Sequence, residues 1–239
     1  MILAIDIGNT LTKLAVFEGD KIVEVISEKE IKSADINTLV KNFDVQSIIV
    51  SSVADKNDLK ELLKNHNFLV LNHNTPIPLQ LKYKTPETLG LDRIAAVVAA
   101  KKMYAENVLV IDMGTCITYD FINADNEYLG GGISPGFKMR FKALNTFTQK
   151  LPLINFDNNK LMLVGNSTES SIISGVYNGM KNEVNGIINN YLSQYKNLKI
   201  VVTGGDRNLF DLEPKNRIFA DEFLVLKGLN EILKYNEKN

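Results

Sequence analysis

The chain has one cysteine and two histidines among its 239 residues, and these scarcities together remove a class of function. Cys116 alone cannot build an internal disulfide framework, and His66 and His73 share no metal-ligand spacing with it, so zinc chemistry is not expected. No window approaches the roughly 18 apolar residues that a membrane span needs. The N-terminus runs from Met1 straight into a strand-like segment, without the basic start and longer apolar core of a signal peptide. Acidic and basic residues nearly cancel, at a formal net charge of −1, which leaves no general attraction for nucleic acid or anionic lipid. There is no Gly-Lys-Ser/Thr loop, and the glycines lack dinucleotide-fingerprint spacing, so neither a P-loop nor a Rossmann site is supported. The expectation is a protein of a reducing cytoplasm with no nucleic-acid or membrane partner.

What is present is a repeat. Val108–Asp120, VLVIDMGTCITYD, has four apolar residues, an Asp, a Gly-Thr corner and a second apolar run, which reads as strand, tight turn and returning strand. Ile2–Lys13, ILAIDIGNTLTK, has the same design: Asp6, Gly8 and Thr12 align with Asp112, Gly114 and Thr118 at a constant offset of 106 residues. One Asp-x-Gly pair is an ordinary turn. Two, each after an apolar strand and half a chain apart, indicate an internal duplication, with halves at 1–106 and 107–239. A corner of this kind exposes amides that suit phosphate oxygens, beside a carboxylate that suits a cation or its water shell.

Between and after the corners the order is α/β. A meander through Lys21–Ile26 precedes a helix near Ala34–Asn42, a strand at Ser47–Val53, a helix over Asn57–Asn65 and a strand at Phe68–Leu71. Pro76, Pro78 and Pro86 predict an irregular Asn72–Thr88. Asp92–Ala105 reads as a strongly apolar, buried helix. Gly130–Gly136 holds four glycines and permits close backbone approach to a ligand. Helices are expected over Phe137–Phe147, Ser170–Leu192 and Leu224–Tyr235, with a strand at Ile200–Thr203 and a third glycine corner at Thr203–Asp206.

Two Asp-Gly-Thr corners, a central apolar helix and a late Thr-Gly-Gly turn together resemble the actin-like superfamily of sugar kinases, acetate kinases and heat-shock ATPases. Within it the chain resembles type III pantothenate kinase over nearly its whole length. The likeness rests on Asp6-Ile7-Gly8-Asn9-Thr10, Gly90-Leu91-Asp92-Arg93, Asp112-Met113-Gly114-Thr115 with Thr118 and Asp120, Gly131-Gly132-Ile133 with Pro135-Gly136, and Asn166-Ser167-Thr168 before Ser174-Gly175. The resemblance implies an α/β fold of two duplicated ribonuclease-H-like (actin-like ATPase) domains with a nucleotide cleft between them. It implies an ATP-dependent transferase that makes 4'-phosphopantothenate, the first step of coenzyme A biosynthesis.

By the same resemblance, Asp6, Ile7, Gly8, Asn9, Thr10, Leu11, Thr12 and Lys13 bind the ATP phosphates, and Thr115 touches the nucleotide. Asp112 holds a monovalent cation, K⁺ or NH₄⁺. Tyr83, Gly90, Leu91, Asp92, Arg93 and Thr168 line the pantothenate pocket, Asp92 being the catalytic base, and the protein is a homodimer. Leu91 and Cys116 each stand where the family usually has Ala, so the pocket wall at Leu91 is expected to be reshaped. Asp6 is the candidate for organising Mg²⁺ through water.

Each residue also has a plainer reading. Asp92 can cap its helix, Arg93 can form a structural ion pair, Asp6 and Asp112 can be turn residues, and Thr203–Asp206 can be a glycine turn rather than an adenosine contact. Cys116 reads as a packing residue, and His66 and His73 as surface or loop residues. Two other functions fit the same pattern: a nucleotide-binding regulatory protein that has lost catalysis, and a kinase of another small hydroxy acid or sugar. A protein of the first kind need not keep Asp92 and Arg93, and this chain has both.

Overall fold

The apolar runs that precede Asp6 and Asp112 form central strands, in keeping with unbroken β-branched sequence covered on both faces. The computed structural model describes residues 1–8, 10–52, 61–64, 66–157 and 161–238. In it β1 (Ile2–Ile7), β2 (Thr12–Glu18) and β3 (Lys21–Glu28) form a meander, followed by α1 (Ser33–Asn42), β4 (Ser47–Ser52) and β5 (Phe68–Val70). These strands make a sheet of order β3-β2-β1-β4-β5, with β1 antiparallel to β2 and parallel to β4. A two-residue strand, β6 (Gln80–Leu81), and a 3-10 turn at Pro86–Thr88 lead to α2 (Leu91–Met103). Then come β7 (Val108–Met113), β8 (Cys116–Ile122), β9 (Glu127–Pro135), α3 (Phe137–Thr146), α4 (Thr168–Gln194), β10 (Lys199–Thr203), β11 (Ile218–Ala220) and α5 (Leu224–Lys238).

The second sheet has the order β11-β10-β7-β8-β9-β6. Read from β9 and without β6, it repeats the first: three meandering strands, then two more beside the strand that opened the meander. β7 pairs in parallel with β10 as β1 does with β4. The correspondence holds at single residues, because Asp6 is opposite Ser51 on β4 and Asp112 is opposite Thr203 on β10. The duplication read from the corners is thus present in the topology.

Contacts divide the described chain into two units, Met1–Ala105 with Asp120–Gly130 and Phe223–Asn239, and Glu106–Tyr119 with Gly131–Glu222. This division follows packing, whereas the halves 1–106 and 107–239 follow the repeat. In the first unit Leu3, Ile5, Leu14, Val16 and Val50 pack with Ile36 and Leu39 of α1. Residues 93 to 100 of α2 are all buried, which is why its sequence carries so little polar surface. α5 lies against α2 at Gly228, where an added Cβ would fall 1.8 Å from the Ala95 carbonyl oxygen, so only glycine permits the approach. In the second unit β7 and β10 are buried, and Phe137, Phe141, Phe156, Tyr177 and Phe210 form an edge-to-face and stacked aromatic cluster.

Three expectations are corrected or limited. Asn72–Thr88 is not wholly irregular, since β6 pairs with β9 at Leu81 and Tyr128. Gly130, expected to allow close approach of a ligand, lies with Gly131 and Gly132 in β9, and its near neighbour is the Tyr83 ring. Of the helix expected over Asn57–Asn65, residues 57–60 and 65 lie outside the described residues.

Candidate active site

At the first corner Asp6 is the penultimate residue of β1 and faces Lys13 across the hairpin, while Ile7 faces Thr12. The Gly8 amide donates to the Leu11 carbonyl at 3.1 Å, closing the turn. Gly8, Thr10 and Leu11 are exposed, Thr12 is buried, and Asp6, Ile7 and Lys13 are half-buried. Asn9 lies outside the described residues. The corner thus presents a short stretch of exposed backbone above a carboxylate and a lysine, a setting that suits phosphate oxygens.

The second corner is tighter. The Gly114 amide donates to the Cys116 carbonyl at 2.9 Å, with Thr115 exposed at the tip and Cys116 half-buried. The Gly136 amide donates to the Thr115 carbonyl at 3.1 Å, and a Cβ on Gly136 would fall 2.2 Å from the Gly114 carbonyl oxygen. This glycine serves a close approach of protein backbone to protein backbone. The third glycine corner also reaches this place: the Asp206 amide donates to the Met113 carbonyl at 2.9 Å. Gly204, at φ +91°, has room for no Cβ, which would fall 2.4 Å from that carbonyl oxygen and 2.5 Å from Asp112 Oδ1. The Asp112 carboxylate and the Met113 carbonyl, both packed on the bare Gly204 backbone, are oxygen donors of the kind a hard cation takes. Burial raises the Asp206 pKa above the ordinary carboxylate range, partly offset by Lys138.

The residues expected around the substrate fall into two places. In the first unit Gly90 is the N-cap of α2, and no side chain caps that helix. Asp92 is therefore not the cap. It stands one residue further in, exposed, its Oδ1 accepting from the Arg93 amide at 2.8 Å. Leu91 is half-buried beside it. The loop histidine His73 donates through Nε2 to the Leu89 carbonyl at 2.9 Å, tying down the approach to this helix start.

Arg93 is buried, and its Nε and Nη2 lie 2.9 and 2.7 Å from Asp120 Oδ1. Burial works against its charge, but the bonds and the charge of Asp120 outweigh burial and raise its pKa. The ion pair on the plainer reading of Arg93 is therefore real, and its hydrogen bond uses one of the five N–H groups of a guanidinium. The Tyr128 hydroxyl donates to the same Asp120 oxygen at 2.6 Å. The Tyr83 ring packs on Tyr128, centroids 5.9 Å apart, and against Gly130, which takes φ +105°. Tyr83, Gly90, Asp92 and Arg93 are thus joined in one unit.

Thr168 lies in the second unit, exposed at the first position of α4, whose cap is Ser167, its hydroxyl accepting from the Ser170 amide at 3.1 Å. Thr168 lines a groove of about 940 Å³ between α3 and α4, with Arg140, Phe147 and Ile172. None of Tyr83, Gly90, Asp92 and Arg93 lines it.

Sequence reasoning gave no role to Ser51, Tyr128 or Asp120. Ser51 was findable only through strand register and Tyr128 only through contacts between distant residues, while Asp120 stood in the motif with no sign that Arg93 is its partner.

A family model described as type III pantothenate kinase matches residues 2–190. Among curated relatives, the type III pantothenate kinase of Phocaeicola vulgatus is 47% identical over 242 residues, covering all of both chains. That of Bacteroides fragilis (strain ATCC 25285) is 45% identical over 240 residues, covering 99% of this chain and 98% of the relative. Among solved structures, a Campylobacter jejuni protein described as a Baf family transcriptional activator is 26% identical with a TM-score of 0.60, covering 99% of this chain and 100% of that one. The (R)-2-hydroxyglutaryl-CoA dehydratase component A of Acidaminococcus fermentans, 13% identical at a TM-score of 0.52, covers 98% and 96% and shares the fold. The architecture is the α/β, two-domain ribonuclease-H-like fold of actin-like ATPases, and with a family model over residues 2–190 and relatives near half identity along its whole length, this chain belongs to the type III pantothenate kinase family.

Proposed function

We propose that the chain transfers the γ-phosphoryl group of ATP to the primary hydroxyl of pantothenate, giving 4'-phosphopantothenate for coenzyme A synthesis. The observation that carries this reading is the first turn of α2. There an exposed Asp92 carboxylate is held by the Arg93 amide, beside a buried Arg93 and the Tyr83 ring. Phosphoryl transfer passes through a loose transition state, so positioning and charge neutralisation do most of the work and the base need only be modest. Asp92 accepts the hydroxyl proton as the O–P bond forms. Arg93 takes the substrate's carboxylate, with Tyr83, Gly90, Leu91 and Thr168 shaping the pocket.

Asp6, Ile7, Gly8, Asn9, Thr10, Leu11, Thr12 and Lys13 cradle the ATP phosphates, Asp6 organises Mg²⁺ through water, and Thr115 touches the nucleotide. Asp112 would hold the monovalent cation, which would supply fixed positive charge to the phosphoryl transfer. The duplicated domains are the halves 1–106 and 107–239. A homodimer is the assembly proposed, with Phe147, Leu163 and Val164, which are 85%, 82% and 79% exposed on the second unit, as apolar side chains available to a partner. No helix among the described residues is long and apolar enough to cross a membrane, and a cytoplasmic enzyme is the reading adopted. The regulatory alternative is disfavoured by the presence of Asp92 and Arg93.

The test is ADP release from Mg-ATP with and without pantothenate, in potassium and in sodium buffer. Release that needs both pantothenate and potassium is expected. ATP binding without pantothenate-dependent release would replace this reading with the regulatory one or with another substrate, to be sought among small hydroxy acids and sugars.

A further inference from the structure

Asp120 and Tyr128 stand outside the residues proposed to touch pantothenate, yet they join them. Asp120 is 1% exposed, and on its Oδ1 converge a hydrogen bond from Arg93 Nε, another from the Tyr128 hydroxyl, and an ion-pair contact with Arg93 Nη2. Its Oδ2 is buried with no hydrogen-bond partner.

A buried Arg–Asp pair is a poor device for stability, because desolvating two charges costs about what their attraction returns. Placing every donor on one oxygen makes it poorer still, since a bare buried oxygen keeps its desolvation cost. The same arrangement is well suited to aiming a side chain. A guanidinium is a rigid plane, and with Nε bonded to Asp120 and Nη2 drawn to the same oxygen, the fork at the far edge, made by Nη1 and Nη2, is turned away from it. That fork has the geometry that grips a carboxylate through two parallel bonds. The Arg93 amide meanwhile holds Asp92 Oδ1, so one clamped residue serves both the proposed base and the proposed anion contact.

We propose that Asp120, steadied by Tyr128, is a positioning residue that fixes the plane of the Arg93 guanidinium so that its outward fork receives the substrate's carboxylate. The inference rests on the pantothenate kinase reading above. Because Asp120 acts through Arg93, its effect must vanish when Arg93 is gone.

The experiment is steady-state kinetics on the full chain for wild type, Asp120→Asn, Arg93→Ala, their double variant and Tyr128→Phe, with KM measured separately for pantothenate and ATP. Asp120→Asn keeps the shape and removes the charge. Its pantothenate KM is expected to rise about tenfold or more, the size of a lost charge-assisted bond, with the ATP KM unchanged. Added to Arg93→Ala it should cause no further rise. Tyr128→Phe should raise the pantothenate KM by a few fold.

A folded Asp120→Asn with wild-type pantothenate KM overturns the proposal. So does one whose penalty is as large in the Arg93→Ala background, which would mark a general structural role. If Asp120→Asn does not fold, Tyr128→Phe decides, and an unchanged pantothenate KM there overturns it. Wild-type protein that releases no ADP with pantothenate is a different failure: it removes the kinase reading, and this inference with it.

Discussion

At the first corner Gly8, Thr10 and Leu11 are exposed, and a Cβ on Gly8 would approach one carbonyl oxygen at 3.2 Å. At the second, an added Cβ on Gly136 would strike the Gly114 and Thr115 carbonyls at 2.2 and 2.4 Å, and one on Gly204 would strike Met113 and Asp112. One sequence pattern has thus been set in two surroundings, an open turn and a turn packed from two sides by glycine backbone. An open turn suits a large ligand that arrives and leaves with its own solvation. A packed one suits a small ion that must be held by fixed oxygens. The difference comes from Gly136 and Gly204, which lie outside the repeat pattern.

The largest expected effect tests that packing. Gly136→Ala puts a methyl group into rigid backbone and should cost about 3 kcal/mol, the upper range for overpacking, or a fall in Tm of roughly 6–12 °C in a chain of this size. Gly8→Ala should cost under about 1 kcal/mol, because its neighbour need yield by only a few tenths of an ångström. Equal losses in thermal unfolding would erase the distinction between the corners.

Next in size is a variant outside both corners. Asp92→Asn should keep the fold and nucleotide binding while kcat falls by roughly 10²-fold or more, as for loss of acid–base catalysis. Near-normal turnover would remove Asp92 from the role of base and return the chemistry to the corners. The corners themselves are then separated by Asp6→Asn and Asp112→Asn. The first should raise the Mg-ATP KM about tenfold, the scale of one charged contact. The second should abolish the difference between potassium and sodium buffers. An Asp112→Asn enzyme that still needs potassium would put the cation elsewhere.

The pattern from which these tests follow was partly legible in the chain. The two hairpins announced themselves through apolar runs, Asp-x-Gly spacing and a constant offset, all local signals, and the matching sheet orders follow from them. β11 was missed because three residues after a 3-10 turn carry no periodicity, and β6 because two residues among prolines carry less. Gly130–Gly132 read only as a place of close backbone approach, because glycine is a weak strand former. In the fold the strand at Gly130 is covered by the Tyr83 ring, and at Gly132 by the Tyr119 ring. At the site, Asp92 and Arg93 were visible as a motif, but the partner of Arg93 was not. Asp120 lies 27 residues away and Tyr128 a further eight, and no spacing rule links a helix start to two strand positions. Ser51 and Thr203, opposite the two aspartates, needed the register.

The smallest expected effect concerns a tie that belongs to the second unit. Glu183 on α4 accepts from Arg140 Nη2 at 2.6 Å and from the Tyr119 hydroxyl at 3.1 Å. Burial pushes its carboxyl pKa up, but the bonds from Arg140 and Ser134 outweigh burial and hold it below the ordinary value of 4.5. A depressed carboxylate pKa adds stability that is fully present above the unfolded value and is lost as pH falls through the folded one. Glu183→Gln should therefore lower the urea midpoint slightly at pH 7, by the under 1 kcal/mol or so of a partly exposed pair. The gap from wild type should close as pH falls below about 4.5, where the unfolded carboxyl begins to take up its proton. A gap of constant size across that range would mean that Glu183 acts through packing and not through its charge, and the acid sensitivity of the second unit would have to be sought elsewhere.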